Sequence, residues 1–278
     1  MRTFGEVAER LRRSTVQVLL QGREHGGGTG VIWGADGLIV TNAHVAQSNR
    51  AAVELWDGRR LEARVTAHDP RRDLAVLRVS EAGLPAATAG DSTALRAGEL
   101  ALAIGSPLGF AGALTTGVIH SVGPVLGMGR HPWVRATVRL APGNSGGPLA
   151  NADGHVIGIN TAIMNGLGLA VPSRDVLEFL RRGGRPRLGV VLRPVALEGS
   201  QLGLLILEVE PGEAADGASL LVGDILTCVN GRPLDSNDAL GDALDSGASP
   251  IRLQFVRGDR SRLRETVARP ALPAEAAA

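Results

Sequence analysis

The sequence predicts a mainly β protein in two domains, a larger one of short strands and a smaller one that adds a short helix. Three observations carry that expectation. Asp-Gly pairs sit between apolar segments in "WGADGLIV", "LWDGRRL" and "NADGHVIGI", a strong hairpin signal. Between residues 14 and 171 no long amphipathic helical pattern intervenes, and many short strands joined by tight turns build a barrel or a sandwich. At 278 residues the chain exceeds one small domain and suits two.

The elements follow in order. Phe4, Val7, Ala8 and Leu11 fall on one face of an N-terminal helix. "VQVLL" and "TGVIW" are β-rich. The next helix is "PSRDVLEFLRRGG", with Ser173 as N-cap, Val176, Leu177 and Leu180 on one face, and Gly183 as the stop. "RRGGRPR" at 181–187 reads as a boundary, which places the domains at 1–183 and 187–270 with a disordered tail at 271–278. Beyond it, "GLLILEVEPGEAA" and "GDILTCVNGRPL" are strands around turns. "SNDALGDALDSG" is a short helix capped by Ser236, and "IRLQFVRGDR" with "SRLRETVA" forms a closing hairpin.

Composition excludes several classes of function. A net charge of +1 gives no basic field for nucleic acid. Apolar content of 44% and charged content of 21% are those of a soluble globular protein. The single cysteine, Cys228, rules out an internal disulfide framework, and its apolar setting makes it a core thiol. No apolar run is long enough for a transmembrane helix, and the N-terminus lacks the apolar core of a signal peptide. The chain as written therefore reads as cytoplasmic, with the bacterial periplasm or envelope as the alternative if a leader is missing.

The chemistry centres on "APGNSGGPLA", residues 141–150, where glycines and prolines surround Ser145. A serine hydroxyl is a weak nucleophile at neutral pH and needs a base in reach and donors for the developing oxyanion. Of six histidines, only His44 sits where a strand runs into a tight turn, in "LIVTNAHVA". To orient it, "HDPRRDLAVLRV" offers Asp69 and Asp73. Asp73 directly precedes an apolar run and enters the interior, where a carboxylate needs a partner. Asp69 precedes Pro70 and reads as a turn residue, the substitute should Asp73 be a solvated strand-end charge. The chain order His44, Asp73, Ser145 is one of the known orders of a catalytic triad.

"TNAHV", "DLAVLRV" and "GNSGGPL" together resemble the HtrA (Deg) branch of chymotrypsin-like serine proteases, and "LAIGSPLG" (102–109) and "GLGLAVPS" (166–173) resemble further stretches of it. "RLGVVLRP", "LEVEPGEAA" and "VGDILTCVNGRPL" are similar to the single PDZ domain that follows such proteases. The resemblance implies a chymotrypsin-like double β-barrel followed by a small α+β PDZ domain. It makes His44 the general base and then acid, Asp73 the group that fixes the imidazole, and Ser145 the nucleophile. The amides of Gly143 and Ser145 form the oxyanion hole, with that of Asn144 close by. Asn144 stands where trypsin-like enzymes carry an aspartate that pairs with a new N-terminus. A neutral side chain cannot make that pair, so activity would be switched by loops around 138–143 and 161–168. The second of these and the segment 21–30 are short, which implies an assembly no larger than the family's trimer, with Phe4 a contact in it.

Substrate preference follows in part. The position six before the serine is Arg139, not the carboxylate that selects Arg or Lys. Leu140 and Ile163 line an apolar pocket for small or medium aliphatic side chains, and a methylene in such a pocket changes selectivity by about 1–3 kcal/mol. By resemblance, Leu188, Gly189 and Val190 take a peptide C-terminus while the peptide adds a strand to the sheet edge, facing the helix from Ser236 to Leu244.

Other signals carry less. His25, His68, His120, His131 and His155 show no metal-ligand spacing, and "GREHGGGTG" lacks the Lys-Ser/Thr of a phosphate loop. No cofactor or metal is expected. The sequence therefore points to an ATP-independent serine endopeptidase of unfolded or damaged proteins. A peptide-binding chaperone or resting protease is the alternative.

Overall fold

The computed structural model describes residues 3–19, 27–106, 112–126, 128, 131–181, 188–197, 201–236, 239–246 and 249–270. The segment 20–26 with His25, the end of "LAIGSPLG", the boundary 182–187 with Gly183, and the tail 271–278 lie outside them. The chain divides into two compact units, Met1–Gly184 and Arg185–Ala278.

Unit 1 opens with helix α1 (Phe4–Arg13). Thr3 and Glu6 close a reciprocal capping box at its start, a T-x-x-E signature legible in the sequence. Val7 and Leu11 are buried, Ala8 is half-buried, and Phe4 is exposed. Two closed barrels follow. The first contains β1 (Thr15–Leu19), β2 (Gly28–Gly34), β3 (Leu38–Thr41), β4 (Arg50–Glu54), β5 (Arg60–Asp69) and β6 (Leu74–Val79). Its order is β1-β2-β3-β6-β5-β4, closed by the β1–β4 pair. The second contains β7 (Leu100–Gly105), β8 (Ala113–Pro124), β9 (Pro132–Ala136), β10 (Pro148–Ala150), β11 (Val156–Met164) and β12 (Leu167–Pro172), in the order β10-β11-β12-β9-β8-β7. The three Asp-Gly turns join β2 to β3, β4 to β5 and β10 to β11.

Each barrel has its own interior, Val18, Ile32, Ile39 and Leu77 in the first and Ala103, Val134, Leu149 and Ile157 in the second. A further core lies between them and joins Val31, Val40 and Leu74 to Leu102, Ile104 and Ile159. Leu11 of α1 and Val176 and Phe179 of α2 (Ser173–Arg181) complete it. The buried face of α2 is thus Val176 and Phe179 with Leu180 beside them, while Leu177 is exposed. The expected set with Leu177 spans an equally narrow arc, and it is packing against the barrels that buries the side with Phe179 instead. Ser173 is not the cap expected. Its hydroxyl donates to the Gly90 carbonyl at 2.6 Å, and the Ser92 hydroxyl accepts the Arg174 amide at 3.1 Å. A distant loop therefore caps this helix, which local sequence cannot reveal.

The segment 161–168, expected as a loop, is a hairpin. Met164 pairs with Leu167 around Asn165-Gly166, both at positive φ (51° and 77°). That is the Asn-Gly two-residue turn, whose twist matches its strands.

Unit 2 is a sheet of β13 (Val190–Ala196), β14 (Leu202–Val209), β15 (Ile225–Val229), β17 (Ile251–Arg257) and β18 (Asp259–Ala268). The short β16 (Arg232–Pro233) pairs β15, and helices α3 (Ala214–Gly217) and α4 (Ala239–Asp245) pack with it. The apolar core holds Leu204, Ile206, Leu226, Leu253 and Phe255. Cys228 is buried, as its apolar run implies. Fully buried Asp224 accepts a two-pronged bond from Arg257, at 2.6 and 2.8 Å, and also the Leu221 amide. Asp224→Ala removes the acceptor of the Leu221 amide and of two guanidinium nitrogens, and leaves Arg257 its bond to the Ser219 carbonyl. We expect about 2–3 kcal/mol loss of stability of this unit by urea melting, and an unchanged midpoint would refute the assignment.

Candidate active site

The stretch 141–150 folds as two successive turns. The Asn144 amide donates to the Ala141 carbonyl and the Gly147 amide to the Asn144 carbonyl, each at 3.0 Å. Gly146 lies at φ +87°, and a Cβ there would stand 1.9 Å from the Thr29 carbonyl oxygen, so only glycine fits. Its amide donates to the Asn160 carbonyl, and the Asn160 amide returns a bond to Gly147, both at 2.8 Å, which ties the turn to β11. Among the described residues no acceptor takes the amides of Gly143, at φ +102°, or Ser145. The Asn144 amide, placed near the hole in the sequence reading, is instead engaged inside the turn by Ala141.

His44 lies in the turn that ends β3, where the amides of Val45 and Ala46 both reach the Asn42 carbonyl. Asp73 immediately precedes β6 and holds His44 twice. Its Oδ1 accepts the His44 backbone amide at 2.9 Å, and its Oδ2 lies 2.7 Å from Nδ1. Asp73 adopts a left-handed backbone conformation, φ +53°. A non-glycine residue there is uncommon and aspartate tolerates it better than most. The hydrogen bond that His44 donates to Asp73 raises the His44 pKa above its ordinary 6.5, with partial burial opposing and the carboxylate's charge adding to the rise. Asp69 is the fully buried carboxylate of the two, reversing the expected contrast. It accepts the amides of Arg71 and Arg72 and pairs with the Arg72 guanidinium at 2.9 Å. It is the turn residue its place before Pro70 indicated, and its charge is answered there.

The structure thus brings His44 and Asp73 together, while the Ser145 hydroxyl donates to the Thr161 carbonyl at 3.1 Å. Two residues absent from the sequence reading bind these groups across the barrels. The Asn42 side-chain amide donates both to the Asp73 carbonyl, at 2.8 Å, and to the Thr161 hydroxyl, at 2.9 Å. Asn42 sits in "TNAHV" and could have been singled out there. Nothing local marks Thr161.

Arg139 is exposed, and half-buried Leu140 packs where a Cβ on Gly168 would come within 3.0 Å of it. Ile163, the register partner of Gly168, is 55% exposed. In unit 2, Leu188 is buried and Gly189 turns at φ +74° against Glu213. The carbonyls of Leu188 and Gly189 accept the Ala215 and Glu210 amides, both at 2.8 Å, and Val190 begins the edge strand β13. Among the described residues no acceptor takes the Leu188 or Gly189 amide, and no cluster of three His, Cys, Asp or Glu is placed to hold a metal.

Comparison with known proteins gives this arrangement a family. Residues 28–159 match the model of the trypsin-like peptidase domain. HhoA of Synechocystis, named as a serine protease, is 33% identical over 276 residues, 87% of this chain and 70% of its own length. The chain belongs to the HtrA family of serine proteases. Its paired closed barrels are the chymotrypsin-like double barrel. A DegP-like protein of Halomonas elongata is 37% identical over 258 residues, 84% of this HtrA chain and 54% of its own length. The chain therefore spans about half the length of that DegP-like relative. The solved structure of the HtrA-type protease AlgW with a decapeptide superposes with a TM-score of 0.62 at 25% identity, over 96% of this chain and 98% of that one. The expected cytoplasmic location is overturned. The DegP-like relatives from Halomonas elongata and Ectopseudomonas mendocina are named as periplasmic endoproteases. Among the described residues no helix is long and apolar enough to cross a membrane.

Proposed function

We propose that this HtrA-family chain is an ATP-independent serine endopeptidase that cleaves unfolded or damaged proteins through an acyl-enzyme. The observation that carries the reading is the His44–Asp73 pair, 2.7 Å apart, in one unit with a turn whose Gly143 and Ser145 amides have no acceptor among the described residues. With Nδ1–H donated to Asp73, the other ring nitrogen of His44 is a free base. It takes the Ser145 proton as Oγ attacks the scissile carbonyl. The oxyanion receives the two open amides. The imidazolium, steadied by Asp73, returns its proton to the leaving amine, and a water activated by neutral His44 releases the acyl group. Attack requires the Ser145 hydroxyl to exchange Thr161 for His44.

Leu140 and Ile163 are the residues for an aliphatic side chain before the scissile bond. Unit 2 is a PDZ domain whose Leu188 and Gly189 amides take a peptide carboxylate, with Val190 opening the strand that the peptide extends, opposite α4. Occupancy of that groove regulates cleavage, and the working assembly is a homotrimer with Phe4 at a subunit contact. The contact of Ser145 with Thr161 favours a second reading, a resting protease or peptide-binding chaperone that awaits a ligand.

A fluorophosphonate probe tests the proposal. Purified protein is treated with the probe and digested for mass spectrometry, and β-casein cleavage is followed with and without an apolar C-terminal peptide. The proposal expects a stoichiometric adduct on Ser145, loss of casein cleavage with labelling, and acceleration by the peptide. An unlabelled Ser145 with casein bound but uncut gives the second reading.

A further inference from the structure

Thr29, on β2 of the first barrel, uses each of its polar groups within the protein, and two of them grip the turn that carries Ser145 in the second. Its amide donates to the Ser145 carbonyl at 2.8 Å, and its hydroxyl donates to the Gly143 carbonyl at 2.6 Å. The hydroxyl accepts the Ser106 amide at 3.0 Å, and the Thr29 carbonyl accepts the Thr41 hydroxyl at 2.7 Å. The side chain is fully buried. The hydroxyl thus gives its one hydrogen to Gly143 and uses one of its two lone pairs for Ser106.

We propose that Thr29 is a positioning residue for the oxyanion hole, which rests on the catalytic reading of Ser145 given above. Two carbonyls of the three-residue segment Gly143-Asn144-Ser145 are held from the same side by one residue. A peptide plane carries its C=O and N–H in opposite directions, so anchoring those carbonyls fixes how the planes on either side can tilt. The Ser145 amide lies in the plane between the two anchored ones and the Gly143 amide in the plane just before them, and among the described residues neither amide has an acceptor. The Asn144 amide is occupied by Ala141, so within this turn the donors left for the hole are those of Gly143 and Ser145, and both depend on the tilt. Donors act on the transition state only when aimed at the place where charge develops, and misplacement of about 1 Å is costly. Removal of the hydroxyl by Thr29→Val leaves the Gly143 carbonyl facing a methyl group at hydrogen-bond distance, which repels it, and strands the Ser106 amide. Thr29→Ser keeps the donor.

The test uses the full chain, with wild type, Thr29→Val, Thr29→Ser and Thr29→Ala compared. Steady-state casein cleavage gives kcat and KM, a capped peptide boronic acid ending in valine gives the affinity for a tetrahedral adduct, and fluorophosphonate labelling reports Ser145. Thr29→Val is expected to lower kcat about a hundredfold, the scale for one lost oxyanion donor. KM should stay within about threefold, and the boronate should weaken in step with kcat, because tetrahedral adducts share the transition state's interactions. Thr29→Ser should stay within about threefold of wild type on every readout, since a lost methyl leaves the donor in place. If Thr29→Val fails to melt cooperatively, Thr29→Ala is judged by the same criteria. A folded hydroxyl-free variant with wild-type kcat, or with lowered kcat but unchanged boronate affinity, overturns the proposal while wild-type Ser145 still labels. Absence of labelling in wild type instead overturns the catalytic reading, and this inference with it.

Discussion

Ser145→Ala is expected to lower kcat on casein by about a millionfold, and His44→Ala by nearly as much. The two losses should not add. A nucleophile without its base and a base without its nucleophile leave the same residual enzyme. The double variant should therefore fall within about threefold of either single one, where independent effects would multiply. Some activity should survive, roughly a thousandfold over uncatalysed hydrolysis, because the open amides of Gly143 and Ser145 remain to polarise a bound carbonyl. Neither substitution should unfold the chain. The His44 ring is about half exposed, and the hydroxyl of Ser145 gives only a 3.1 Å bond to Thr161. Single-turnover digestion with cooperative melting as the control decides the matter. A multiplicative double variant, or a Ser145→Ala protein with more than about a hundredth of wild-type kcat, would remove Ser145 from the nucleophile's role.

What the sequence discloses and what it hides divide along a physical line. The hairpins after β2, β4 and β10 are legible because each turn is made by neighbours in the chain, an Asp-Gly pair between apolar runs. Asn165-Gly166 is equally legible as a two-residue turn, although the expected switching loop covers the same segment. Barrel closure is not written locally. The β1–β4 pair joins residues far apart in the chain, and both partners look like ordinary strands. The same holds at the ends of helices. Ser173 stands where a cap belongs, yet a serine 82 residues away takes the exposed amide.

The candidate site follows this division. His44, Asp73 and Ser145 stand out because each sits in a short segment whose composition is unusual for its element. Thr29, Asn42 and Thr161 hold those segments across 114, 31 and 119 residues of chain, and each is an ordinary polar residue in its own neighbourhood. The contrast drawn between Asp69 and Asp73 failed for a related reason. Burial alone does not select the histidine's partner, because the buried Asp69 satisfies its charge locally with Arg72. Asp73, only partly buried, has His44 as its partner.

Asp73→Asn should lower kcat/KM by about ten-thousandfold at neutral pH and should also move its acid limb. In wild type the bond to Asp73 raises the His44 pKa above 6.5. Below that raised value His44 is protonated and cannot act as a base, so activity climbs with pH through it. An asparagine at 73 withdraws the carboxylate that favours the charged imidazole, and the limb must shift to lower pH. The deficit of the variant is thus expected to be largest on the alkaline side and to shrink as pH falls, because wild type loses its base first. The amide still accepts the His44 backbone N–H through its oxygen. Its NH2 then faces Nδ1, which selects the tautomer with the proton on the nitrogen that should receive it. Asp69→Asn is the control. It disturbs the turn at Arg71 and Arg72 and should lower the melting midpoint while leaving the acid limb in place. Rates of casein cleavage from about pH 5 to 9 separate the two. If Asp69→Asn moves the limb and Asp73→Asn does not, the acid that orients His44 has been misassigned, and the left-handed conformation of Asp73 belongs to its strand rather than to the chemistry.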